Sequence, residues 1–198
     1  MNKLKELLSG KFQQDVLWNL ASLAVVGVSG IALNYLITLL YDVESLGIFN
    51  QVFAVYIFFS QFAVMGIHQS TLKYVAEHAD SSSNRASILV SALGATAVLG
   101  SLTALICWAT SGLVGELLSS PSVGIGQSYV ALGLLFFALN KVILAHLNGT
   151  RRMKAFAFFQ ALRVVLMLVS LVIMAWQEMP SSMLPFVLTL GEFGTLVG

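Results

Sequence analysis

The sequence predicts an all-α, polytopic membrane protein, a bundle of about six transmembrane helices. Three observations carry that prediction. First, 58% of the 198 residues are hydrophobic and only 10% are charged, against about 25% charged in a typical soluble domain. The mean hydropathy is +0.88, so the chain cannot clothe a water-facing surface. Second, the apolar residues fall into six runs, each of the order of the 20 residues that cross a hydrocarbon core of about 30 Å. Third, eight of the ten Lys and Arg residues lie in alternate loops. The same composition excludes a disordered chain. A single cysteine, Cys107, excludes a disulfide scaffold, and a net charge of +1 gives no reason to expect nucleic acid as a partner.

The elements follow in chain order. Residues 1–14 place Leu4, Leu7, Leu8 and Phe12 on one stripe with lysines elsewhere, the pattern of a cytoplasmic amphipathic segment lying in the interface. The spans are expected over about 16–40, 47–67, 86–110, 127–147, 155–176 and 183–198. The first is too long for a signal peptide and no small-residue cleavage site follows it. Strands crossing a membrane would be about half as long and would alternate. Lys3, Lys5 and Lys11 precede the first span, Lys73 and Arg85 separate the second from the third, and Arg151, Arg152 and Lys154 separate the fourth from the fifth. The remaining loops carry Asp42, Glu44, Glu116 and Glu178 and no Lys or Arg. This charge bias puts the N-terminus in the cytoplasm. The sixth run is still apolar where the sequence stops, so the expectation is a fragment, a truncated gene product or the first half of a larger protein.

Ionisable groups inside spans cost roughly 2.5–3.5 kcal/mol on insertion scales and so mark cavities or partners. Arg163 lies about 12 Å above the cytoplasmic end of the fifth span, on a stripe with Gln160, Met167 and Ser170. That stripe reads as the face of a polar cavity, although an arginine at this depth can also snorkel to the headgroups. Glu192 lies about 13 Å inside the sixth span, with Thr189 and Thr195 at i±3. Its height matches that of Arg163 to about 5 Å in a slab of about 30 Å, which allows either a coupling-ion site or an ion pair. Lys141 follows Asn140 near the cytoplasmic end of the fourth span. Asn50 and Gln61 share one face of the second, and Asn19, Ser22 and Ser29 one stripe of the first. Such residues pack helices together or line a cavity.

Motifs for covalent chemistry are weak. Gly27-Val28-Ser29-Gly30 resembles the Gly-x-Ser-Gly of rhomboid intramembrane proteases, but His68, His78 and His146 all fall at or beyond cytoplasmic span ends, so no base reaches Ser29. Asn148-Gly149-Thr150 is a glycosylation sequon on the cytoplasmic side. No phosphate-binding loop and no Cys/His metal spacing is present in the sequence. No catalytic residue and no metal ligand is assigned.

Several stretches resemble a known family. Asn19 and Gly27 stand in the first span. The outer turn Glu44-Ser45-Leu46-Gly47-Ile48-Phe49 opens an aromatic second span, which closes on Gly66-Ile67-His68-Gln69-Ser70-Thr71-Leu72-Lys73-Tyr74-Val75-Ala76. Leu147-Asn148-Gly149 precedes the turn Arg151-Arg152-Met153-Lys154-Ala155-Phe156. These resemble the polysaccharide flippases, the O-antigen and related lipid-linked oligosaccharide transporters of the MOP (multidrug/oligosaccharidyl-lipid/polysaccharide) superfamily, in their N-terminal lobe. The resemblance implies two six-helix lobes about a cavity that alternates between two open states. It implies a bacterial cytoplasmic (inner) membrane location and a non-enzymatic role, moving polyprenyl-pyrophosphate-linked oligosaccharide for O-antigen-like or lipopolysaccharide biosynthesis. It implies no cofactor, coupling to H+ or Na+, and partners among the bilayer, the lipid-linked oligosaccharide and other polysaccharide assembly proteins. On this reading Arg163 and Lys141 meet the pyrophosphate. Gln160, Gln61 and Asn50 meet the sugar, and Glu192 is the coupling or pairing residue. The alternatives are a small-molecule or drug secondary transporter, a membrane enzyme, and a non-transporting truncated membrane protein.

Overall fold

The computed structural model describes residues 10–198, apart from the side chains of Lys11 and Phe12. The described residues form eight α-helices and no strand. They are α1 (Lys11–Leu40), α2 (Val43–Val64), α3 (Ile67–Glu77), α4 (Ser82–Ala109), α5 (Ser111–Leu117), α6 (Pro121–Gly149), α7 (Met153–Trp176) and α8 (Phe186–Val197), with a 3-10 turn over Ser181–Met183. Five of them, α1, α2, α4, α6 and α7, are long and apolar enough to cross a membrane. The protein is an all-α, multi-pass membrane bundle. Residues 1–9 of the expected interfacial segment lie outside the described residues, and residues 11–14 form the first turn of α1.

The helices depart from the sequence boundaries, most in the second, third, fourth and sixth spans. The second run, expected to reach residue 67, stops at Val64. Met65 and Gly66 then adopt left-handed backbone, with φ of 42° and 80°, and turn the chain into α3. The third and fourth spans, α4 and α6, begin before their apolar stretches. Ser81 caps α4 by accepting a hydrogen bond from the Asn84 N–H, and Pro121 opens α6 where its missing N–H is harmless. The sixth run is not one long span. Pro180 and Pro185 bracket the 3-10 turn, and α8 then has 12 residues, about 18 Å at 1.5 Å per residue. At the start of α2, Asp42 is extended and its Oδ1 accepts from the Ser45 N–H at 2.7 Å. That cap fixes the two-residue turn from α1.

The bundle is built around α6. Half of its most apolar stretch is buried, and it packs on α2, α3, α4, α5 and α8. Lipid offers no hydrophobic drive between helices, so close packing depends on small residues. On α6 these are Gly124, where a Cβ would lie 2.7 Å from the Ser111 carbonyl, and Gly133, where it would lie 2.6 Å from Thr189 Oγ1. α7 packs on α8 and on α1, and α1 touches α2 far less than it touches α7. The Asp15–Arg151 ion pair and the contact of Gly149 with Val75 set one end of the bundle. Gly124 against Gly115, and Gly126 against the Ser182 carbonyl, set the other. The long helices therefore alternate in direction. Lys73, Arg85, Arg151, Arg152 and Lys154 gather at one end, and Asp42, Glu44, Glu116 and Glu178 at the opposite end.

Candidate functional site

A cavity of about 310 Å³ opens between α1 and α2, floored by α6, α7 and α8. α1 contributes Ser29, Gly30 and Leu33, and α2 contributes Phe53, Tyr56 and Gln61. Arg163 and Met167 come from α7, and Glu192 from α8. The helical period explains the convergence. On α2 the residues at i, i+4 and i+8 turn successive side chains toward the opening, and on α7 Arg163 and Met167 stand one turn apart.

The charged pair dominates the floor. Arg163 Nη1 lies 3.3 Å from Glu192 Oε1, with side chains 15% and 2% exposed. Asn140 of α6 completes the carboxylate. Its Nδ2 donates to Glu192 Oε2 at 2.8 Å and to the Glu192 backbone carbonyl at 2.8 Å. An ionised carboxylate taken from water needs this degree of partnering, because desolvation costs several kcal/mol per ion. The backbones are held close by glycine: a Cβ on Gly191 would run into Met167 Cγ and lie 3.2 Å from the Arg163 carbonyl. The guanidinium is not saturated. Arg163 Nε is buried without a hydrogen-bond partner, and so is Gln160 Oε1, one turn before it. The cavity floor thus carries a fixed cation, whose Nε is buried and unpaired, beside a carboxylate whose two oxygens are both engaged.

The sequence-derived site residues divide unevenly. Arg163, Glu192 and Gln61 come together at the cavity, with Gln61 Nε2 donating to Ser60 Oγ at 3.4 Å and to the Ile57 carbonyl at 3.5 Å. Lys141 is not among the lining residues; its ammonium stands 5.3 Å from the centre of the Phe137 ring, and Phe137 lines the cavity. Gln160 shares the α7 stripe but does not line the opening. Asn50 shares the Gln61 face, yet it stands about 16 Å further along α2, exposed and outside the cavity lining. Ser170 also lies outside it. Thr189 and Thr195 turn away from Glu192: Thr189 Oγ1 donates to the Tyr129 carbonyl and Thr195 Oγ1 to the Gly191 carbonyl. Ser29 reaches the cavity with its hydroxyl donated to the Val26 carbonyl at 2.7 Å, and no histidine lines the space. Two residues were missed by sequence reasoning. Asn140 was overshadowed by the charge of Lys141 beside it. Buried Tyr56, edge-on to Phe137 at 5.9 Å, reads in the sequence as one more aromatic of an apolar span. At the basic end of the bundle, burial and then the Lys141 charge hold the His68 imidazole below its ordinary value.

No family model matches the chain, and no curated protein or solved structure matches it.

Proposed function

We propose that the chain is a transport lobe that binds a polyprenyl-pyrophosphate-linked oligosaccharide and moves it across the bacterial cytoplasmic membrane by alternating access, for surface polysaccharide assembly, with its N-terminus cytoplasmic. The observation that supports this reading is the buried Arg163–Glu192 pair on the floor of a laterally open cavity. A guanidinium presents a planar fork of donors that matches phosphate oxygens two at a time. Arg163 lines the cavity and commits its Nη1 to Glu192. A pyrophosphate arriving at the floor competes with Glu192 for the fork, and the Asn140 bonds hold the displaced carboxylate. The apolar walls, Phe53, Ile57 and Leu188 among them, suit an isoprenoid chain. Ser29, Ser60 and Gln61 offer hydrogen bonds to a sugar. A second lobe or a second copy closes the open side. Glu192 is the candidate for coupling to H+ or Na+.

The test is surface glycan export by the native protein in a bacterial strain lacking its own lipid-linked oligosaccharide flippase. Arg163→Ala is expected to reduce export roughly 10–150-fold per molecule of protein in the membrane, the worth of a hydrogen bond to a charged group. Arg163→Lys keeps the charge but loses the fork, and is expected to restore only part of the rate. Full export by Arg163→Ala overturns the assignment. The rival reading, a drug-type secondary transporter, is supported by the same buried carboxylate and predicts the larger loss for Glu192→Gln.

A further inference from the structure

The first helix packs chiefly on α7, touches α2 little, and is the least buried of the long helices. Its apolar stretch is 6% buried, the lowest of the five long helices. From Gln13 to Ala21 every residue is exposed except Asp15. Asp15 Oδ2 accepts from Arg151 Nη2 at 2.8 Å and from Arg151 Nε at 3.1 Å. Arg151 makes this reach from the α6–α7 turn with φ of 56°, a left-handed backbone that an arginine seldom adopts. At the opposite end, Tyr41 and Asp42 alone join α1 to α2, with Asp42 committed to the α2 cap. Between these points α1 supplies one wall of the cavity through Val26, Ser29, Gly30 and Leu33.

We propose that α1 is a swinging wall of the cavity, hinged at Tyr41–Asp42 and latched at its other end by the Asp15–Arg151 pair. The lever is long. From Tyr41 to Asp15 is about 39 Å of helix, so a tilt of about 10° displaces the latched end by about 7 Å. Little buried surface opposes the motion along the last turns before the latch, because among the described residues only Asp15 is packed there. The latch is a mechanical property of the fold and holds whatever solute the cavity carries.

The test is a distance distribution between spin labels at Gln14→Cys and Met65→Cys, both exposed, at the basic ends of α1 and α2, in lipid nanodiscs. The native cysteine, Cys107, is fully buried and stays unlabelled. With the latch intact the distribution is expected to be narrow. Asp15→Asn and Arg151→Gln are each expected to add a population shifted by several ångströms. The charge swap Asp15→Arg with Arg151→Asp is expected to return it to the narrow form. An unchanged distribution in both single variants overturns the latch. A shift that the swap fails to reverse overturns it equally, since a merely local loss of folding is not repaired by exchanging the two charges.

Discussion

Replacing Arg163 with leucine leaves Glu192 with its carboxylate 2% exposed and its Oε1 unpaired. Breaking a buried ion pair from one side costs about 3–5 kcal/mol, because the remaining charge loses its countercharge. The competing contribution comes from Asn140, whose amide holds Oε2 and the backbone carbonyl. Hydrogen bonds measured within membrane proteins average about 0.6 kcal/mol and reach about 1.7, so Asn140→Leu is expected to cost clearly less than Arg163→Leu. Glu192→Gln removes the charge and keeps the shape. It leaves Arg163 facing the cavity, where water can reach it, so its cost is expected to be the smaller of the two charge deletions. The double variant Arg163→Leu, Glu192→Gln has no unpaired charge, and is expected to be more stable than Arg163→Leu alone by about 2 kcal/mol or more. The assay is equilibrium unfolding in mixed micelles, followed by the fluorescence of Trp18, Trp108 and Trp176. Two results refute the reasoning: Arg163→Leu within about 1 kcal/mol of the native protein, or a double variant whose loss equals the sum of the single losses.

Gly133→Ala places a methyl 2.6 Å from Thr189 Oγ1, a hydroxyl already fixed to the Tyr129 carbonyl; a loss of about 1–3 kcal/mol is expected. Gly27→Ala meets nothing within 4 Å and should gain about 0.5–1 kcal/mol from helix propensity, so the two alanines are expected to move the unfolding midpoint in opposite directions. The Ser45 N–H bond, backbone donor first, holds the Asp42 carboxyl below its ordinary value. A depressed carboxyl contributes stability above its unfolded pKa of about 3.9, and that contribution is lost as pH falls through the still lower folded value. Asp42→Asn keeps a capping oxygen, and an unfolding series below pH 4 should show it with the shallower acid dependence.

The long apolar runs were legible because lipid demands a continuous apolar stretch of fixed length, and five of them appear as helices of that kind. What the runs did not mark was where backbone geometry interrupts them. Ile67 continues the hydropathy of α2, yet the left-handed pair Met65–Gly66 places it in a separate helix. The sixth run was read as one span because Pro180 and Pro185 lie just outside or at the edge of its most apolar part, whereas together they shorten it to α8. At the site, depth along two helices brought Arg163 and Glu192 to one height in the sequence, and the two stand within 3.3 Å. Rotation about a helix axis alone did not place Asn50. It shares the Gln61 face, but the cavity ends before reaching it. Asn140 was unreadable for a different reason: its partner lies 52 residues away, and a neutral amide in a span has no charge that requires a counterpart.

The sparse contact between α1 and α2, with the chief partner of α1 being α7, bears on how the protein is made. About 110 residues are synthesised between the end of α1 at Leu40 and the start of α7 at Met153, on the order of 6–22 s at roughly 5–20 residues per second. For that interval the first helix must reside in lipid without its neighbour. The mean hydropathy of its most apolar 18 residues, 2.1, and the absence of any charge between Val16 and Leu40 let it do so. Later helices enter a membrane where a partner is already waiting. The docking of α7 on α1 therefore waits on the synthesis of everything that lies between them in the chain.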